Sequence, residues 1–271
     1  MPTNLRIALV GCGAIGTEIA KAISALKMRE VELTAIVDTD HFKAESLRRL
    51  LKPKPRIMDL DHAIQSADLI VEAANRRVIA ELVTKAIHQG KDVMLMSSGG
   101  LVDHLDLLDL ARRKNCCIYL PSGAIAGVDG LKSAMAGKVR RVVLTTTKPP
   151  KGLQGAPYFQ NHPVKLDQVK KPTVVFRGSA RSAIRGFPAN VNVCVCVALA
   201  GIGLDRTQVV IRVDPKTRVN RHELLVEGDF GRSLSVTENV PSPLNPKTSF
   251  LAALSAVATF RRIIDPVKIG T

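Results

Sequence analysis

The stretch Arg6 to Gly16, RIALVGCGAIG, decides the fold of this chain. Ile7 to Val10 is an apolar run too short for a helix and closed by glycine, the pattern of a parallel strand buried on both faces. Gly11, Gly13 and Gly16 follow at the spacing of a dinucleotide fingerprint. The first permits a tight turn, the second lets backbone approach a pyrophosphate, and the third lets helix pack on strand. A helix from about Ala14 turns its unpaired N–H groups, at Ala14, Ile15 and Gly16, and its positive dipole end toward those phosphates.

The next segment strengthens this reading. Leu33 to Val37 is a second apolar run, and it ends in Asp38, about 20 residues beyond the glycines, where a carboxylate accepts the ribose hydroxyls of an adenosine. Asp38 disfavours a 2′-phosphate, so NAD is the expected cofactor. The nearby cations Lys43, Arg48 and Arg49 leave NADP open.

Strands then alternate with helices. A helix over 42–51 is stopped by Pro53 and Pro55, a short helical turn spans 61–66, and strands follow over 69–72, 92–96 and 117–120. Asn75 is placed to cap a helix through Gln89, and Asp103 to cap another with Leu105, Leu108 and Ala111 inward. This is the layout of an α/β chain with a doubly wound parallel sheet, a Rossmann fold, whose ligands sit beyond the carboxyl ends of the strands. The loops to watch are 73–76, 97–100 and 121–127. The last, PSGAIAG, reads equally as a helix start within 124–138 or as a site of close backbone approach.

From Arg140 the pattern changes. Strands are expected over 142–147, 173–177, 209–213 and 222–226, with a small-residue helix over 190–203 between the second and third of them. These belong to a second, α+β domain. The expected division is residues 1–125 for the nucleotide-binding domain, completed by a C-terminal helix within 246–271, and 126–245 for a catalytic and dimerisation domain.

The 271 residues are 46% hydrophobic, enough for two modest cores. No apolar run is long enough for a membrane span, and MPTNLRIALVG enters a strand without a signal-peptide layout. The five cysteines, Cys12, Cys116, Cys117, Cys194 and Cys196, lack C-x-x-C spacing, so neither a disulfide framework nor a metal site is expected. A reducing cytoplasm fits best. The net charge of +15 is dispersed in small clusters, and aromatics at 3% give little to stack on bases, which places nucleic-acid binding behind an anionic small substrate.

With these residues in place the chain resembles a known family, the archaeal and bacterial L-aspartate dehydrogenases. The resemblance covers nearly the whole chain. It is carried by GCGAIG at Gly11–Gly16, SSGGL at Ser97–Leu101, PSGAIAGVDG at Pro121–Gly130, FPANVNV at Phe187–Val193, RHELLVEGDFG at Arg221–Gly231 and NPKTS at Asn245–Ser249. It implies NAD(P)-dependent oxidation of L-aspartate to iminoaspartate, with release of oxaloacetate and ammonia or delivery of the imine toward NAD biosynthesis. It also implies a homodimer. By motif, His222 matches the catalytic histidine, and Ala126 and Asn192 match nicotinamide-side contacts.

Residue chemistry fits these roles. A histidine exchanges protons near neutrality, although on strand periodicity alone His222 has no more claim than the five other histidines. Asn190 and Asn192 cannot both cap one helix start. Asn190 serves as cap with access to substrate, and Asn192 is left for the nicotinamide carboxamide. For the substrate carboxylates the candidates are Lys247, Thr248 and Ser249, with Arg232 after the GDFG turn. Two other readings share the fold: a homoserine dehydrogenase or dihydrodipicolinate reductase-like enzyme acting on another acid, and a non-catalytic dinucleotide sensor.

Overall fold

The computed structural model describes residues 5–25, 31–188, 192–242 and 248–270. The chain divides into two compact units, Met1–Pro121 with Ala253–Lys268, and Ser122–Ala252 with Ile269–Thr271. The division thus falls at Pro121/Ser122 rather than after residue 125, and the C-terminal segment joins the first unit from Ala253 rather than from residue 246.

In the first unit the chain runs β1 (Leu5–Val10), α1 (Ala14–Ala25), β2 (Val31–Val37), α2 (His41–Leu50), β3 (Arg56–Ile57), α3 (Leu60–Ser66) and β4 (Leu69–Glu72). It continues through α4 (Ile79–His88), β5 (Asp92–Leu95), α5 (Asp106–Lys114) and β6 (Ile118–Tyr119). All pairings are parallel, in the order β3-β2-β1-β4-β5-β6. The order reverses direction between β1 and β4, which is the switch point where such sheets bind ligands. Ile7, Leu9, Leu69, Val71 and Met94 are buried in one core with Ile19, Leu47 and, from the far end of the chain, Ala256 and Phe260. Burial on both sheet faces is why these strands read as unbroken apolar runs.

Local chemistry sets the helix ends. Asp40 Oδ1 accepts from Phe42 N at 3.0 Å and Lys43 N at 3.2 Å, starting α2. Asn75 caps a single 3₁₀ turn, Arg76–Val78, which runs on into α4. Asp103 does not cap α5. The 3₁₀ turn Ser98–Leu101 ends before it, and the helix starts beyond it at Asp106 without a side-chain cap, burying Leu107 and Ala111.

The second unit contains α6 (Val128–Ala134), β7 (Val139–Lys148), α7 (Tyr158–Asn161), β8 (Thr173–Ser179), α8 (Ala180–Gly186), α9 (Asn192–Ala200), β9 (Gln208–Val213), β10 (Asn220–Gly228) and β11 (Gly231–Asn239). The last helix, α10 (Phe250–Ile264), begins in this unit and ends in the first. The segment 121–127 is therefore a loop, since α6 begins only at Val128, after Gly127 in the left-handed region at φ +87°. The sheet is mixed, in the order β11-β10-β7-β9-β8, with β7 and β9 parallel and the other neighbours antiparallel. Along β10 the residues alternate. His222, Leu224 and Val226 face inward and are buried, while Arg221, Glu223, Leu225 and Glu227 face out.

Candidate active site

In the first unit the glycine turn joins β1 to α1. Gly11 holds φ +103°, and a side chain there would collide with the Ala73 carbonyl; one at Gly16 would collide with Gly11 O. A Cβ at Gly13 would project into open space instead. The turn is thus closed on the protein side at Gly11 and Gly16 and open on the other at Gly13, as a phosphate cradle requires. The first-turn amides of α1, at Ala14, Ile15 and Gly16, have no carbonyl partner within the helix.

Asp38 lies at the end of β2 beside this turn. Its Oδ2 accepts from Cys12 N at 2.7 Å and its Oδ1 from Asp40 N at 2.8 Å. Two amides fix the carboxylate, and each oxygen keeps a lone pair for a hydroxyl. The nearby cations are paired with carboxylates of α2 and its cap: Lys43 with Asp40 at 3.4 Å, and Arg48 and Arg49 with Glu45 at 2.8 and 3.2 Å.

The ligand end of this sheet holds a residue that the sequence reading passed over. Glu72, fully buried at the end of β4, accepts from Ala74 N at 2.8 Å, Ser97 N at 2.9 Å and Ser97 Oγ at 2.9 Å. One carboxylate thereby ties loop 73–76 to loop 97–100. Burial pushes its pKa up, against the pull of the Ser97, Ala74 and Asn75 donors. Gly100 completes the junction, because a side chain there would meet Ile79 Cγ1 at 2.5 Å and Arg76 O at 2.6 Å.

In the second unit the geometry centres on His222. It stands opposite Thr146 of β7 and Thr237 of β11, so all three share the inner face. His222 Nδ1 lies 3.0 Å from Thr146 Oγ1. When Nδ1–H donates to that oxygen, the lone pair falls on Nε2. Burial, with the charge of Lys148 nearby, pushes the imidazole pKa down to about 4, so it is neutral at pH 7. Burial likewise lowers Lys148 to about 8.

Ala126 joins this cluster, since its amide donates to Thr237 Oγ1 at 3.0 Å. Asn239 Nδ2 donates to Ala124 O at 2.9 Å and Asn220 O at 3.3 Å, fastening the 122–127 loop to the same end of the sheet. Ser249 is buried there too, and Asn220 Nδ2 lies 3.5 Å from its Oγ. Thr248 is the neighbouring residue, with its carbonyl accepting from Ser242 N at 2.8 Å. Asn192 opens α9 on an exposed surface. Arg232 lies elsewhere: it faces Glu227 at 3.7 Å by the β10–β11 turn, far along the strand from His222. Asn190 and Lys247 lie outside the described residues. Thr146, Lys148, Thr237 and Asn239 were missed because each belongs to the cluster only through strand register, although TTTK at the end of β7 puts Thr146 and Lys148 on one face.

Residues 129–263 match the family model described as "Aspartate dehydrogenase, C-terminal", and residues 11–121 match "Homoserine dehydrogenase, NAD binding domain". The chain is 46% identical to the L-aspartate dehydrogenase of Methanosarcina acetivorans, over 98% of this chain and 100% of that one. This chain belongs to the L-aspartate dehydrogenase family. The family's protein from Nitrosopumilus maritimus is 42% identical over 98% of this chain and 99% of that one. Among solved structures, the aspartate dehydrogenase of Thermotoga maritima superposes with a TM-score of 0.74 at 23% identity, over 98% of this chain and 100% of that one. A homoserine dehydrogenase from Thiobacillus denitrificans shares the fold with a TM-score of 0.63 at 14% identity, over 97% of this chain and 75% of that one. The family therefore brings a nicotinamide dinucleotide to this fold, and the open cradle at Gly13 with the amide-held Asp38 fits such a group.

Proposed function

We propose that this chain oxidises L-aspartate to iminoaspartate with NAD as the preferred acceptor, and that His222 is the proton-handling residue. The observation that carries the reading is a neutral, buried imidazole, held through Nδ1, in a chain whose family relatives are L-aspartate dehydrogenases.

When bound, the dinucleotide supplies the carbon that accepts two electrons and the Cα hydrogen as hydride. Gly11, Gly13 and Gly16, with the amides of Ala14 and Ile15, would hold its pyrophosphate, and Asp38 its adenosine ribose. Ala126 and Asn192 would meet the nicotinamide side. His222 Nε2 takes a proton from the substrate nitrogen as the Cα–H bond breaks and the C=N bond forms. Water then adds to the imine, giving oxaloacetate and ammonia. Ser249, Thr248, Lys247 and Asn190 are proposed to face the substrate.

Preference for NAD follows from charge. A 2′-phosphate would meet the Asp38 carboxylate, while Lys43, Arg48 and Arg49 are occupied by Asp40 and Glu45. The proposed assembly is a homodimer. The outward face of β11 exposes Leu234 at 55% and Val236 at 45%, and Leu225 stands outward beside Leu234. No described helix is long and apolar enough to cross a membrane.

The test is the near-ultraviolet absorbance of reduced nicotinamide on adding L-aspartate, with NAD and NADP in parallel. Signal with L-aspartate and none with D-aspartate or L-homoserine is the expected result. Signal only with another acid would move the chain to a different substrate, and silence with every acid despite nucleotide binding would favour a sensor.

A further inference from the structure

The inner face of the second sheet is apolar along most of its length and polar at one end. Val142 and Leu144 on β7, Val209, Ile211 and Val213 on β9, and Leu224 and Val226 on β10 are buried. At the polar end Thr146 and His222 stand opposite each other, and Lys148 follows Thr146 by two residues on the same face. Lys148 is half-buried, stands opposite the buried Val213, and has its carbonyl held by Asp214 N at 2.9 Å. The turn Pro150–Gly152 packs on its stem, since a Cβ at Gly152 would lie 3.5 Å from both Lys148 Cβ and Cδ. Its charge reaches the imidazole of His222.

Keeping a flexible cation at the rim of an apolar face costs both rotamer entropy and hydration. Proton removal at His222 does not need it, and the positive charge opposes protonation of that imidazole. A dicarboxylic substrate does need it. Lys148 is the diagonal neighbour of His222 across an antiparallel pair, a separation of about 7–8 Å at the backbone. A substrate nitrogen at His222 therefore leaves the farther carboxylate of a four-carbon acid directed to Lys148, while the carboxylate on the same carbon as the nitrogen stays near the histidine.

We propose that Lys148 receives the side-chain carboxylate of the substrate and thereby selects a dicarboxylic amino acid over one with an uncharged side chain. The proposal rests on the reading of His222 as the proton-handling residue. In an environment of reduced polarity the ammonium makes a charge-assisted hydrogen bond to carboxylate, worth about 10- to 100-fold in affinity.

The experiment compares wild type with Lys148→Met and Lys148→Arg, using succinate as a non-reacting dicarboxylate. For Lys148→Met we expect KM for L-aspartate and Ki for succinate each to rise about 10- to 100-fold, with reduced-nucleotide affinity and Tm unchanged. Turnover of L-alanine relative to L-aspartate should rise, and Lys148→Arg should regain succinate inhibition. Unchanged KM and Ki in folded Lys148→Met would overturn the proposal, as would a loss confined to kcat. A measurement on wild type covers the case in which the variant does not fold. Succinate should protect Lys148 from trinitrophenylation by trinitrobenzenesulfonate, in which the neutral amine displaces sulfite from the ring, read by mass spectrometry, and absence of protection would also overturn the proposal. If wild type oxidises no aspartate, the functional reading fails on its own, and protection by succinate still decides the role of Lys148.

Discussion

A histidine buried beside a threonine hydroxyl and a lysine is stable only while uncharged. His222 is 5% exposed, and its pKa in the fold is about 4 against an unfolded value of about 6.5. Between these values the unfolded chain binds the extra proton, so stability rises with pH there and is lost as pH falls from about 6.5 toward 4. Thermal melts across this window should show that loss, and His222→Gln should flatten it. For catalysis the same depression places the acid limb of kcat/KM, which reports the free enzyme, below the ordinary histidine range. His222→Ala should remove most turnover and leave reduced-nucleotide fluorescence titrations nearly unchanged; wild-type turnover would refute the assignment. Little of this cluster is written locally. Strand alternation puts His222 on a face, but its hydroxyl partner lies 76 residues away, and only the β7–β10 register joins them. The local mark on His222 is the resemblance of RHEL to a family motif.

Elements show which parts of the sequence carry their own instructions. β4 was legible to the residue, because an apolar run between polar neighbours has one place to go. β11 was not, because GRSLSVTEN alternates small polar and apolar residues and forms a strand chiefly by pairing with β10. The glycine turn offers a matched pair of tests. Gly16→Ala forces a methyl against the Gly11 carbonyl and should lower stability by about 1–3 kcal/mol. Gly13→Ala meets no protein atom within 4 Å, so Tm should hold while nucleotide affinity falls. A drop in Tm without loss of affinity would mean that the cradle lies elsewhere. Glu72→Gln turns an acceptor into a donor facing the donors of loop 97–100, a conflict worth about 1–3 kcal/mol in chemical denaturation.

For the whole molecule, the outward face of β11 is the surface to challenge. Leu234→Asp with Val236→Asp should convert a dimer to monomers in light scattering behind size exclusion, and an unchanged mass would place the contact elsewhere. The two-domain plan was legible in the change from alternating strands and helices to gathered strands, whereas the position of the join was blurred by small residues in PSGAIAG that suit loop and helix alike. The placement of α10 bears on how the molecule is made. Ala256 and Phe260 fill the same core as Ile7 and Ile19, so the first unit to leave the ribosome must wait for the far end of the chain to complete its core. While residues 122–252 are being translated, the surface that awaits α10 is open to water and to chaperones. A chain cut after Ala252 would be held in that nascent condition, and should be recovered with chaperone bound or in the insoluble fraction.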